Sequence, residues 1–407
     1  MGVLRVGAVS SVVLGVVLLL VPSPGSAQDA NVWLTERRML NMAHGGGQGE
    51  APDNTLYAFK TALDRGADAL EMDLHITLDG HVVVIHDSTV DRTTNGTGCV
   101  VAHTLAELRE LDFAYDWVPG DGPTPGLDPS AYPFRGVATG DVPPPPGFAA
   151  ADFSVATLEE VFQAQPDALM VMELKPTEVY QDHDCPAFLE SLPEEDRPDL
   201  AAEVARLIDE YGMADQIMVA SFIDDLLHRF MDLAPGVDTS FPIGESLAVY
   251  VAYVNGQPLP NPRGHEAFQV PRDYNGVEID EGVVTYARAN GVAVHYWTIN
   301  DPAEMEELLG WCSDGLITDE PSVMAAVVAD MDDPCIEPLQ ATTTSSPSAS
   351  TTIAPAPTTP QPGAPELPRT GSGDASAPLT AIAVLLIAAG AAGLLLSSSQ
   401  RARARRS

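Results

Sequence analysis

At 407 residues the chain has room for one large barrel or two average domains, and either could bury a sizeable core. A formal net charge of −38 argues against nucleic acid or an anionic membrane surface as a partner, since both need a basic face. The four cysteines, Cys99, Cys185, Cys312 and Cys335, include no CxxC pair of the metal or redox type, and their even number favours disulfides whose pairing the sequence leaves open.

The chain starts with Arg5, an apolar run from Val12 to Val21 and the small residues Gly25, Ser26 and Ala27. This predicts an export signal over residues 1–27, cleaved after Ala27; an uncleaved anchor is the alternative, although the run is short for a span. Residues 28–339 form the expected catalytic domain. From about Leu40 to Ala329, short apolar runs alternate with amphipathic stretches in the manner of an α/β domain. Strands are predicted at Leu40–His44, Ala69–Leu74, Val82–His86, Leu169–Leu174, Ile217–Phe222, Val237–Phe241, Val277–Ile279, Val292–Thr298 and Gly315–Thr318. Helices are predicted at Thr55–Arg65, Thr157–Gln163, Ala201–Tyr211, Gly282–Asn290 and Pro302–Leu309. That is one strand more than a (β/α)8 barrel needs, and a hairpin across Asp79-Gly80 accounts for the excess. Trp117–Asp152 and Gly244–Asn275, both proline-rich, are read as long inserted loops placed to shape a pocket.

Residues 340–366 are rich in Thr, Ser, Pro and Ala and read as a stalk. Leu367-Pro368-Arg369-Thr370-Gly371 follows, then an apolar run over 378–396 and a tail with Arg401, Arg403, Arg405 and Arg406. At ~1.5 Å per residue the run is about long enough to cross a ~30 Å hydrocarbon core, with the arginines on the cytoplasmic side. The order of elements over 367–407 resembles the LPXTG sorting signal of Gram-positive surface proteins, in which a sortase cuts between Thr and Gly. That resemblance implies a sortase partner and attachment at the cell surface; a plain C-terminal membrane anchor is the alternative.

The chemistry concentrates in the catalytic domain. In ALEMDLHITLDGHVVVIHDS, residues 69–88, strand alternation puts Glu71 and Asp73 on one face among apolar neighbours. Two buried carboxylates repel unless a cation or proton lies between them, and a hard metal ion meets that need. Asp79-Gly80 is a strong two-residue turn signal, and such a turn sets Asp73 opposite His86. In LMVMELK, Glu173 and Lys175 share a face at a strand end, where barrels of this kind keep their active sites. Lys60 and Lys175 are the only lysines in an arginine-using chain, which marks Lys175 as a candidate phosphate ligand. His44 ends the first strand beside Gly45, Gly46 and Gly47, whose backbone could approach an anion closely. His75, on the same face as Asp73, is read as supporting the site.

Taken in order, these pieces resemble the glycerophosphodiester phosphodiesterase family over roughly Leu40 to Pro321. His44-Gly45-Gly46 through Pro52-Asp53-Asn54-Thr55 is similar to the family's HRG…PENT segment, Glu71-Met72-Asp73 to its E-x-D pair and Ile85-His86-Asp87 to its second histidine. Glu173-Leu174-Lys175 is similar to its E-x-K element, and Trp297-Thr298-Ile299-Asn300 and Asp314 to Pro321 to its closing strands. Gly45 stands where the family has an arginine that helps bind phosphate, and Asp53 replaces a glutamate.

The resemblance implies a (β/α)8 TIM barrel of the PLC-like phosphodiesterase type. It also implies a divalent cation, Ca²⁺ or Mg²⁺, on Glu71, Asp73 and Glu173; His44, His86 and Lys175 as catalytic residues; and Gly45, Asn54 and Trp297 at the substrate. The implied activity is hydrolysis of glycerophosphodiesters to an alcohol and sn-glycerol 3-phosphate. Lysophospholipids or glycerophosphate wall polymers are alternative substrates, and a surface binding protein without turnover is the alternative class.

Overall fold

Parallel strands and helices alternate along most of the chain, in a computed structural model that describes residues 31–35, 39–176, 185–331 and 335. The strands are β1 (Leu40–Ala43), β2 (Ala69–Ile76), β3 (Leu169–Leu174), β4 (Ile217–Ala220), β5 (Asp238–Thr239), β6 (Ala267–Pro271), β7 (Ala293–Trp297) and β8 (Gly315–Thr318). They are hydrogen-bonded in the order β6-β7-β8-β1-β2-β3-β4-β5, and a parallel bridge from Ser240 to Ala267 returns the sheet to β6. The result is a (β/α)8 barrel, as expected.

A helix packs outside the sheet after each strand: α1 (Leu56–Asp64), α2 (Leu158–Ala164), α3 (Leu200–Tyr211), α4 (Asp224–Leu233), α5 (Ile243–Val254), α6 (Glu281–Ala289), α7 (Pro302–Gly310) and α8 (Pro321–Asp330). Several of these helices are started by their own side chains. Thr55 accepts from Ala58 N–H, Thr157 and Glu160 form a capping box, and Asp301 caps α7 just ahead of Pro302.

Alternation along the strands divides the core. On β2 and β3, Leu70, Met72, Met170 and Met172 pack outward with Phe59 and Phe162 of the helices, while Ala69, Leu169 and Val171 pack inward with Met42, Met218 and Ile317. The inner layer is closed where the strands begin. Trp33, 1% exposed, joins it, donates from Nε1 to Asp238 Oδ2 at 2.8 Å and meets His295 edge-on.

Three expectations are corrected. Val82–Val84 is an antiparallel partner of β2, as foreseen, but the register pairs Leu74 with Val84 and Ile76 with Val82. Gly80 sits at φ 85° and Thr77 N–H donates to His81 O, so the loop holds three residues, Leu78 to Gly80, instead of two. Asp73 therefore faces Ile85, whose N–H donates to Asp73 O, and not His86.

Val277–Glu278 is no barrel strand; it pairs with Asp273–Tyr274 in a separate hairpin. The stretch 244–275, expected to be loop, carries most of α5 and all of β6. Pro258, Pro260 and Pro262 lie in the connection between these elements and Pro271 ends β6, where they break no ladder.

The other long segment, 117–152, is mostly irregular, as expected, apart from a short antiparallel pairing of Trp117–Val118 with Gly122–Pro123 and a 3-10 turn at Pro129–Ala131. It buries Phe153 against Tyr57, Phe134 and Phe148, and Trp117 Nε1 donates to Gln48 O at 2.7 Å.

Disulfides join Cys99 to Cys185 and Cys312 to Cys335. The expected export signal, stalk, sorting signal, apolar run and arginine tail lie outside the described residues. Among the described residues no helix is long and apolar enough to cross a membrane.

Candidate active site

The three predicted metal ligands meet where the strands end. Asp73 and Glu173 are register partners on the adjacent parallel strands β2 and β3, and Glu71 lies two residues before Asp73 on the same face. One oxygen from each lies within 4.8 Å of the others. Glu71 and Asp73 are 5% and 1% exposed, and Glu173 Oε1 is buried with no hydrogen-bond partner among the described residues.

A buried carboxylate oxygen left without a donor is costly, and it fits a cation held between these three groups. All-oxygen donors suit a hard ion such as Ca²⁺ or Mg²⁺.

Lys175, 3% exposed, lies against the cage, with Nζ 2.8 Å from Glu173 Oε2 and 3.0 Å from Asp73 Oδ1. It neutralises one charge of three. Burial raises the Asp73 carboxyl, but Lys175, His86 and His44 outweigh that and hold it below the usual range. Burial, helped by Asp73, pushes Glu71 up to about 7, against the pull of His44 and the Gly45 N–H.

The glycine segment after β1 serves this cage. Gly45, at φ +54°, donates its N–H to Glu71 Oε2 at 2.8 Å, so the anion that its backbone approaches is a protein carboxylate. Asn54, itself left-handed at φ 59°, donates from Nδ2 to Asp73 Oδ2 and accepts from Asp73 N–H, which holds that ligand in place.

A cleft of about 240 Å³ is lined by His44, Gly45, Gln48, Asp53, Asn54, Asp73, His86, Asp87 and Arg92. The two histidines, distant in sequence, thus share one wall system with a cage ligand. Each is oriented by a carboxylate: His44 Nδ1 lies 2.6 Å from Asp319 Oδ1, and His86 Nδ1 lies 2.7 Å from Asp87 Oδ1. Asp319 is itself fixed by Gln48 and Asn300.

Burial lowers the His44 pKa, but the Asp319 hydrogen bond and the Glu71, Asp319 and Asp73 charges carry it up to about 9. His75, pushed down to about 4 by burial and then by Lys175, stays neutral at pH 7, with Nε2 3.4 Å from His86 O. It supports the segment that carries His86.

Two features escaped the sequence reading. Arg92 binds Asp87 through Nε at 2.7 Å and reaches Asp53 at 3.6 Å, placing a guanidinium in the cleft wall. Its signal was the polar run Asp87 to Thr94 directly after His86. The Asp319–His44 pairing joins the two ends of the barrel sequence, and local pattern carries no trace of it. Trp297 ends β7 and packs edge-on against Phe222; it lies outside the lining of this cleft.

Comparisons with known proteins agree with this geometry. The model of the glycerophosphoryl diester phosphodiesterase family matches residues 44–323. A glycerophosphodiester phosphodiesterase of Caldanaerobacter subterraneus subsp. tengcongensis is 29% identical over 297 residues, covering 72% of this chain and 98% of its own. One from Bacillus subtilis is 28% identical over 324 residues, covering 79% and 97%.

Among solved structures, a glycerophosphoryl diester phosphodiesterase domain from Mycobacterium tuberculosis superposes with a TM-score of 0.54 at 18% identity, over 72% of this chain and all of that one. An Oleispira antarctica phosphodiesterase, solved with the product sn-glycerol-3-phosphate, gives a TM-score of 0.52 at 20% identity, over 73% and 99%. These structures share the fold. With the family match spanning most of the barrel and including the cage, both histidines and Lys175, the chain belongs to the glycerophosphoryl diester phosphodiesterase family.

Proposed function

We propose that the chain hydrolyses glycerophosphodiesters to an alcohol and sn-glycerol 3-phosphate, using a divalent cation, Ca²⁺ or Mg²⁺. The observation that carries this reading is the gathering of three acidic side chains beside two carboxylate-oriented imidazoles in one cleft. Bound by Glu71, Asp73 and Glu173, the cation supplies Lewis-acid neutralisation of the phosphodiester oxygens.

The protein's own groups do the rest. Lys175 and Arg92 add fixed positive charge for the transition state. With each Nδ1 held by aspartate, His44 and His86 present Nε2 to the substrate. One takes the proton of the attacking water, or of a substrate hydroxyl whose cyclic phosphate water then opens, as the attacking oxygen bonds to phosphorus. The other gives a proton to the departing alkoxide as the second P–O bond breaks.

The sequence patterns at residues 1–27 and 367–407 support export and anchoring at the cell surface, by sortase or by a membrane span. A second reading, turnover of lysophospholipids or glycerophosphate polymers, is favoured by the 117–152 segment, which abuts Gln48 at the cleft. The test is hydrolysis of glycerophosphocholine, a lysophospholipid and a glycerophosphate polymer by metal-stripped protein with and without Ca²⁺ or Mg²⁺. Turnover should require metal and disappear in His86→Ala and Glu71→Ala; turnover unaffected by chelator would refute the proposal, and metal binding without turnover of any diester would favour a binding protein.

A further inference from the structure

A second convergence of metal-binding side chains lies away from the catalytic cleft, on the outer face of the barrel. His228 comes from the middle of α4, Glu245 from the first turn of α5 and His265 from the connection leading into β6. One donor atom from each lies within 4.8 Å of the others.

The two oxygens of Glu245 are divided between the rings: Oε1 lies 2.6 Å from His228 Nε2, and Oε2 lies 3.2 Å from His265 Nε2. None of the three residues lines the catalytic cleft, and the cage there uses none of them.

The hydrogen bonds behind His265 give the cluster its meaning. Thr239 Oγ1 lies 2.8 Å from Nδ1 of His265, whose side chain is wholly buried. Held at Nδ1 by this group, the ring turns its Nε2 toward the carboxylate that Glu245 shares with His228. A ring anchored through Nδ1, with Nε2 directed at a shared point, is the arrangement of a metal-ligating histidine.

We propose that His228, Glu245 and His265 bind a borderline divalent transition ion of the Zn²⁺ type, at a site distinct from the catalytic cage. Two imidazoles and a carboxylate are donors that such ions prefer, whereas the all-carboxylate cage suits harder ions. Ligand distances of about 2.0–2.2 Å set donors roughly 3.3 Å apart around a tetrahedral ion, so His228 Nε2 and Glu245 Oε1, now 2.6 Å apart, part slightly to admit it. The ion clasps α4, α5 and the lead-in to β6 to one another, across the place where β5 and β6 are joined by the Ser240–Ala267 bridge. The clasp is structural and leaves the hydrolytic machinery unchanged.

The experiment uses the full chain, stripped with chelator and returned to excess Mg²⁺ so that the carboxylate cage is filled. Co²⁺ is then titrated as a spectroscopic stand-in for Zn²⁺, and Zn²⁺ is used to displace it. One equivalent should give visible d–d absorption and raise the melting temperature. Glu71→Gln, which damages only the cage, should keep both signals.

His228→Ala is at a part-exposed helix position where the fold tolerates alanine. It should lose both signals, with affinity falling by at least the roughly 100-fold that loss of an outer-shell partner can reach, while diester hydrolysis persists. Glu245→Gln, which preserves side-chain shape, should also lose them. Absence of a transition-ion equivalent beyond the cage in the parent protein, or its survival in both His228→Ala and Glu245→Gln, overturns the proposal.

Discussion

Replacing Glu71 by glutamine tests the cage through stability as well as activity. In metal-free protein, burial first and Asp73 second carry the Glu71 carboxyl from its ordinary 4.5 up to about 7. A carboxyl raised on folding binds its proton more tightly in the folded state. Its stabilising contribution is fully present below about pH 4.5 and is lost as pH rises through about 7. At about 1.36 kcal/mol per unit of pKa, the loss amounts to roughly 3 kcal/mol by pH 8.

Glutamine keeps an oxygen for the Gly45 N–H and removes the charge facing Asp73. Glu71→Gln should therefore match the parent near pH 5 and exceed it by roughly 3 kcal/mol at pH 8. The assay is urea unfolding from pH 5 to 8 in chelator. His44, raised to about 9, and Glu266, raised by burial to about 7, add slopes of the same sign, so the difference between the two proteins is the quantity to read. Saturating Mg²⁺ or Ca²⁺ should restore the parent at pH 8 and leave the variant unmoved. A variant no more stable than the parent at pH 8 without metal would refute the account of the cage as a store of unfavourable charge.

Four further outcomes are expected. His44→Ala and His86→Ala should each lower kcat about 10²- to 10⁴-fold in steady-state assays. Arg92→Met leaves Asp87 and Asp53 facing each other without their shared guanidinium; chemical denaturation should show a loss of about 1–3 kcal/mol, and KM should rise. Cys99→Ser with Cys185→Ser opens a link of sequence separation 86 and should cost about 4–5 kcal/mol, against about 3 kcal/mol for the pair Cys312 and Cys335 at separation 23. Gly46→Ala should impair folding, measured as lost soluble yield and a lower melting temperature, because φ is +83° and the new Cβ would lie 2.8 Å from Ala58 Cβ.

The chemistry was legible wherever it follows strand alternation. Glu71, Asp73, Glu173 and Lys175 share faces for reasons of period alone, and the parallel register of β2 with β3 brings them together. The hairpin after β2 misled because Asp79-Gly80 suits a three-residue loop with a left-handed glycine as well as a two-residue turn, and one residue of slip moves His86 out of register. His86 still lines the cleft, since the strand ends at Val84 and the ring beyond it is held by Asp87, which Arg92 binds in turn.

Strand β6 was hidden by Pro271 and Gln269. Helix α5 was hidden by Val249, Tyr250, Val251 and Tyr253, residues of strand type whose helical state is decided by packing against α4 and α6. Contacts such as His44 with Asp319 exist only once the barrel closes, and a local reading has no access to them.

The Cys312–Cys335 link also fixes the far end of the last helix. Cys312 lies between α7 and β8, on the floor where the strands start, and Cys335 is tied to it beyond α8. Cys335 is thereby pinned beneath the barrel, on the side opposite the catalytic mouth, and sulfur shares with the packing of α8 the task of holding it there.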